Sequence, residues 1–164
     1  MVDYFTRPKI TNLGAYNLGG INATGQIMQT SFNLLDPDTP QEAYTRPGLD
    51  DPNETLQLVF SDEFNVEGRS FFPGDDPFWE GVDLHYWATN DLEWYNPEQI
   101  TTEAGYLKIT IEERRNHGLN YISGMMSTWN KFCFTGGLIE AAVSLPGRPD
   151  RSGFWPGTSN LPRR

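Results

Sequence analysis

The residues with the means to do chemistry are the carboxylates. Asp62-Glu63 in "FSDEF" and Glu112-Glu113 are adjacent pairs. Neighbours on a strand point to opposite faces, so neither pair can flank one bond. Glycoside hydrolysis with retention needs two carboxyls about 5–5.5 Å apart. Strand residues at i and i+2 or i+4 supply that convergence. Asp91 and Glu93 have the i, i+2 spacing, but they sit in "TNDLEWYNP", which runs into a turn signal. No convergent carboxylate set falls on a strand that the sequence places, and Asp91 and Glu93 are not expected to be a catalytic pair.

Other reaction chemistries find little support. His85 and His117 stand far apart, and neither has a ligand-like spacing with Cys133, so no metal site is expected. No nucleophile elbow, phosphate loop or dinucleotide glycine pattern occurs, so no cofactor is expected. The aromatics say more. Trp79, Trp87, Trp94, Tyr95, Trp129 and Trp155 are spread through strand and turn regions. Large rings mostly fill cores. In a concave sheet they can also lie flat on sugar rings while polar neighbours read the hydroxyls. Both readings stay open on composition.

Charge narrows the class of ligand. Of 164 residues, 22 are acidic and 12 are Lys or Arg, a net charge of −10. From Asp36 to Glu103, 17 acidic residues face two basic ones, Arg46 and Arg69. A nucleic-acid binder needs the opposite sign, so that class is set aside. A neutral, hydroxyl-rich ligand tolerates such a surface, and so does a plain solvated face.

The elements that must position these residues read as short strands. "LQLVF" from Leu56 is apolar. "GYLKITIEE" alternates, with Leu107, Ile109 and Ile111 on one face. "LIEAAVSL" alternates likewise, with Ile139, Ala141, Val143 and Leu145 together. "KFCF" puts Phe132 and Phe134 on one side and Cys133 on the other, before a Gly136-Gly137 turn. No helical period is convincing. The fold class is therefore all-β, a sandwich or barrel. Residues 1–54, rich in Gly, Asn, Pro and Thr, read as an irregular lead-in. Residues 55–157 carry the strands, and 158–164 form a tail. No apolar run approaches the ~20 residues of a membrane span. The sequons at Asn22 and Asn53 hint at glycosylation in a secretory compartment, while the N-terminus lacks a signal-peptide core.

The consecutive strings are specific. "LVFSDEFNVEGRSFFPGDDPFWEGVDLHYWATNDLEWYNPEQITTEAGYLKITIEE", "HGLNYISGMMSTWNKFCFTGGLIEAAVSLPG" and "GFWPG" closely resemble the fungal β-glucan synthesis-associated proteins. These form a branch of the laminarinase-like glycoside hydrolase family 16 group. The resemblance runs from about Pro37 to Gly157. It implies a concanavalin-like β-jelly-roll with a sugar cleft, here present in part. It also implies a lumenal domain of the secretory pathway, anchored by a single N-terminal span, and β-1,3- or β-1,6-glucan as partner.

Family 16 enzymes carry their catalytic glutamates in a Glu-x-Asp-x-(x)-Glu strand motif, which the resemblance puts after "FWPG". The motif does not occur in these 164 residues. The chain thus resembles the N-terminal half of a lumenal domain, expected to be inactive alone while full-length relatives act as glycosidase or transglycosidase. The rival expectation is a β-glucan-binding or scaffold module without chemistry.

Resemblance also suggests substrate contacts. Glu93 and Trp94 match a Glu-containing region near the cleft. Trp129 and Asn130 are placed on the strand after Met125-Met126, and Trp155 in "GFWPG" leads toward the cleft floor. For each, packing is the alternative role. Laminarinase-like enzymes often carry an Arg where Met125 stands, and Met cannot bond sugar hydroxyls. Asp62-Glu63 resembles a structural start motif, near which some relatives hold calcium.

Overall fold

A computed structural model describes residues 34–148, 150, 152–154 and 156–157. The chain divides into two units, residues 1–133 and 134–164.

The first unit is all-β, as expected, and is built from short pairs. The strands are β1 (Thr45–Pro47), β2 (Thr55–Gln57), β3 (Glu80–Gly81), β4 (Glu93–Tyr95), β5 (Ile100–Glu103), β6 (Tyr106–Ile109), β7 (Tyr121–Ser123) and β8 (Met126–Ser127). They pair as β1-β2, β3-β8, β4-β7 and β5-β6. Among the described residues no sheet closes on itself.

Local chemistry explains the two hairpins. β1 and β2 lie partly within the stretch read as irregular from its prolines. Turn residues join them: Gly48 N donates to Glu54 O (2.9 Å), and Asn53 N donates to the Asp51 carboxylate (2.9 Å). β5 and β6 are joined by Ala104 and Gly105, both left-handed at φ 55° and 79°. A two-residue hairpin loop needs that conformation to follow the strand twist. Glycine adopts it freely, whereas Ala104 is strained there.

The other pairs are long-range. β4 and β7 run parallel, Trp94 opposite Ile122, with the β5-β6 hairpin inserted between them. On its other side β7 bridges Glu112: Glu112 N donates to Ile122 O (2.9 Å) and Ile122 N to Glu112 O (3.0 Å). β4 in turn exchanges bonds with Leu84, at 2.8 and 3.1 Å. Segments 112, β7, β4 and 84 thus form a continuous ladder.

The buried apolar side chains among the described residues are few: Phe71, Ile100 and Ile122. Gly124 follows β7 where a Cβ would lie 2.5 Å from Ile100 Cγ1, so only glycine lets this backbone approach the core. A polar core sits beside it. Arg69 grips Asp62 with two nitrogens (2.6 and 2.9 Å) and Asp76 with one (2.7 Å). Trp79 Nε1 donates to the same Asp62 (2.7 Å), and Lys131 Nζ donates to Asp76 O (2.8 Å). Phe60 stacks on Phe132 at 4.6 Å and meets Phe78 and Trp79 edge-on. The "SDEF" carboxylate Asp62 is therefore the centre of a structural ion network.

Several sequence expectations are corrected. β6 covers only the start of "GYLKITIEE", and of its expected inner face Ile109 and Ile111 are exposed. "KFCF" is not a strand, because Lys131 N and Phe132 N both donate to Thr128 O and close a turn. Phe132 joins the ring cluster, while Phe134 is exposed. In the second unit "LIEAAVSL" forms no ladder among the described residues, and Ile139, Val143 and Leu145 are exposed. An alternating segment becomes a strand only when a neighbour takes its backbone bonds.

Candidate functional site

The site is built on β4, whose alternation sends Glu93 and Tyr95 to one side and Trp94 to the other. On the first side the Tyr95 hydroxyl donates to Asp91 Oδ2 (2.7 Å) and lies 3.2 Å from Glu93 Oε1. The loop before β4 is pinned to the same point. Thr89 Oγ1 donates to Asp91 Oδ1 (2.6 Å), and His85 Nε2 bonds Asp91 O (2.7 Å). The i, i+2 pair Asp91 and Glu93 does converge, with a phenol between the carboxylates. Burial first, then the bond to Asp91 and the charges of Glu93 and Asp91, hold the Tyr95 phenol well above the usual tyrosine range. The half-buried Glu93 and Asp91 retain lone pairs for ligand hydroxyls.

This shift makes a pH prediction. The folded state holds the Tyr95 proton more tightly than the unfolded chain does. Its stabilising effect is therefore complete below the unfolded value near pH ~10 and is lost as pH rises toward the folded one. Urea titrations across pH 9–12 should show wild type losing stability above pH ~10 more steeply than Tyr95→Phe. Parallel curves would contradict the assignment.

On the other side of β4 the Trp94 ring stacks on His117, with centroids 3.7 Å apart and planes inclined by 12°. Trp94 Nε1 donates to Asp83 Oδ1 (2.7 Å). One face of Trp94 is thus covered by the protein's own imidazole.

Trp129 and Asn130 lie in the turn after β8, not on a strand as expected, because the turn on Thr128 breaks the ladder. Asn130 has φ 60°. Trp129 N donates to Ser127 Oγ (2.9 Å), and its side chain is 67% exposed. Glu93-Trp94 and Trp129-Asn130 hang on one connector: Glu80 and Gly81 pair with β8, Val82 N donates to Met125 O, and Leu84 pairs with Tyr95. Trp155 and Asn22 lie outside the described residues. Asn53 is exposed in the β1-β2 loop, its Nδ2 donating to Asp51 (2.9 Å).

Among the described residues no group of three or more His, Cys, Asp or Glu is arranged to hold a metal ion. Sequence reasoning missed the roles of Tyr95 and His117. The i, i+2, i+4 run Asp91-Glu93-Tyr95 carried a signal for the first. Nothing local marked the second.

Comparison with known proteins then decides the family. The profile of the β-glucan synthesis-associated proteins SKN1/KRE6/Sbg1 matches residues 4–163. The chain belongs to this family. The β-glucan synthesis-associated protein KRE6 of Saccharomyces cerevisiae is 50% identical over 132 residues, covering 80% of this chain and 18% of the relative. SKN1 of Candida albicans is 45% identical over 150 residues, covering 92% of this chain and 20% of the relative. The chain thus spans about a fifth of the length of the curated family members it matches. More distantly, the endo-1,3-1,4-β-glycanase EglC of Rhizobium meliloti is 29% identical over 133 residues, 65% of this chain and 27% of that protein. No solved structure matches.

Proposed function

We propose that this family member serves fungal cell-wall β-glucan synthesis by binding β-glucan, and that Trp129 is a stacking platform for it. The observation that carries the reading is the exposed Trp129 ring, 67% accessible beside Asn130, in a chain whose relatives are β-glucan synthesis-associated proteins. An exposed indole offers a flat apolar face to a pyranose, and an adjacent amide reads its hydroxyls. The acidic surface suits a neutral polymer. Glu93 and Asn130 are the proposed polar contacts, with Trp94 and Trp155 as further rings. Asn22 and Asn53 are the proposed glycosylation sites of a lumenal, secretory-pathway protein anchored in the membrane. No helix among the described residues is long and apolar enough to cross a membrane.

Full-length members act, in this proposal, as glycosidase or transglycosidase on β-1,3- or β-1,6-glucan. The 164 residues hold no Glu-x-Asp-x-(x)-Glu run, which supports binding without turnover by this chain. Release of sugar from laminarin or pustulan by the purified chain would overturn that. Titration with β-1,3- and β-1,6-gluco-oligosaccharides should quench tryptophan fluorescence in wild type. Trp129→Ala should weaken binding about tenfold, the loss of one stacking contact. An unchanged affinity would remove Trp129 from the site.

A further inference from the structure

A second feature is a polar cleft of about 230 Å3, lined by Asn96, Glu98, Arg114, Arg115 and Asn116. Two segments build it, the turn after β4 and the loop before β7. Two contacts tie them together: the Trp94–His117 stack and an Arg114 Nη2–Glu98 Oε2 pair at 2.9 Å. Arg114 is further held by Glu112 at 3.5 Å. Asn96 Oδ1 is used to cap the turn Pro97–Gln99, accepting from Glu98 N at 2.9 Å. Among the described residues, the Arg115 guanidinium, the Asn116 amide and the Asn96 NH2 make no side-chain hydrogen bond.

We infer that this cleft is a second carbohydrate subsite, which reads the hydroxyl edge of one glucosyl unit of a β-glucan chain. The inference rests on the glucan-binding reading above and extends it to residues that reading leaves out. Arg115, Asn96 and Asn116 supply donors, while Glu98 and the Asn116 carbonyl supply acceptors. A vicinal diol both gives and takes hydrogen bonds, so this mixed set suits it. An anion is the rival occupant, since Glu98 is already paired with Arg114 and the Arg115 guanidinium is not paired among the described residues; the phosphate titration separates the two, against a chain of net charge −10. No aromatic ring lines the cleft, so the contact would be made to hydroxyls and not to a ring face. The volume falls below the roughly 300 Å3 where drug-sized pockets begin, which fits one sugar unit and not several.

The test follows the nitrogen-15 resonances of Arg115 Nε, the Asn96 and Asn116 amides and the Trp129 indole. The full chain is titrated with laminaribiose, with gentiobiose and, separately, with inorganic phosphate. The double variant Arg115→Ala/Asn116→Ala is titrated in parallel. Because those side chains bond nothing, its thermal midpoint should stay that of wild type, so a binding change reports the site. The inference expects the cleft resonances to move with a disaccharide. It also expects affinity to drop about tenfold in the double variant, with the Trp129 response retained. A Trp129 response with still cleft resonances and unchanged affinity in the double variant would overturn the cleft alone. Cleft shifts with phosphate but with neither disaccharide would overturn it in favour of an anion site. No response at Trp129 or in the cleft would overturn the glucan reading and the cleft together.

Discussion

Arg69→Ala should lower the stability of this chain by about 3–5 kcal/mol, the cost of stranding buried charge when one ionic partner is removed. Asp62 and Asp76 are each 7% exposed, and the Arg69 side chain is 16% exposed. Removing the guanidinium leaves two carboxylates facing each other's charge with little water. Asp62 would keep the Trp79 Nε1 and Phe64 N donors, and Asp76 only the backbone N–H groups of Phe78 and Trp79. The loss would spread, because Arg69 N also donates to Thr102 Oγ1 (2.9 Å) and its carbonyl accepts from Thr101, fixing this segment along β5. Arg69→Lys should recover only part of the stability, since an ammonium cannot make the two-pronged grip on Asp62. Urea unfolding of the three proteins measures this. A cost under about 1 kcal/mol for Arg69→Ala, the level of an exposed pair, would show the network to be solvated.

The second large effect is expected at Ile122→Ala, about 2–5 kcal/mol by the usual cost of emptying a buried aliphatic site. Ile122 has no solvent exposure and lies opposite Trp94 in the parallel β4-β7 pair. Its backbone exchanges two bonds with Glu112, so it is the middle of the ladder that carries the site. The cavity should therefore be felt at the Trp94–His117 stack. Near-ultraviolet circular dichroism should lose signal in Ile122→Ala well below its melting point. Ile122→Val, at roughly 0.5–1.5 kcal/mol, should keep that signal. An Ile122→Ala protein with wild-type stability and spectrum would mean that β7 is not packed against a core.

Only the part of the candidate site whose signals are local was legible. Glu93 and Tyr95 share a face of β4 by two-residue alternation, and Asp91 from the preceding loop joins them at the Tyr95 hydroxyl. The exposure of Trp129 was not legible. It depends on Thr128 O capturing the N–H groups of Lys131 and Phe132, which turns an apolar run away from the ladder. The alternation of "LIEAAVSL" misled for a related reason: period two states which face is apolar but not whether any strand lies alongside.

By itself the sequence determined the all-β class, the acidic surface and the membership of the family, since composition, alternation and long consecutive strings need no knowledge of the chain's path. Tertiary structure decided which partner each functional side chain takes. Asp62 could have been a catalytic or metal-binding carboxylate, but Arg69 and Trp79, 7 and 17 residues away, enclose it. Trp94 could have offered both faces to a ligand, but His117 covers one. Such contacts follow from where strands cross, and a parallel pair such as β4-β7 is closed by packing across an inserted hairpin, not by any turn written in adjacent residues.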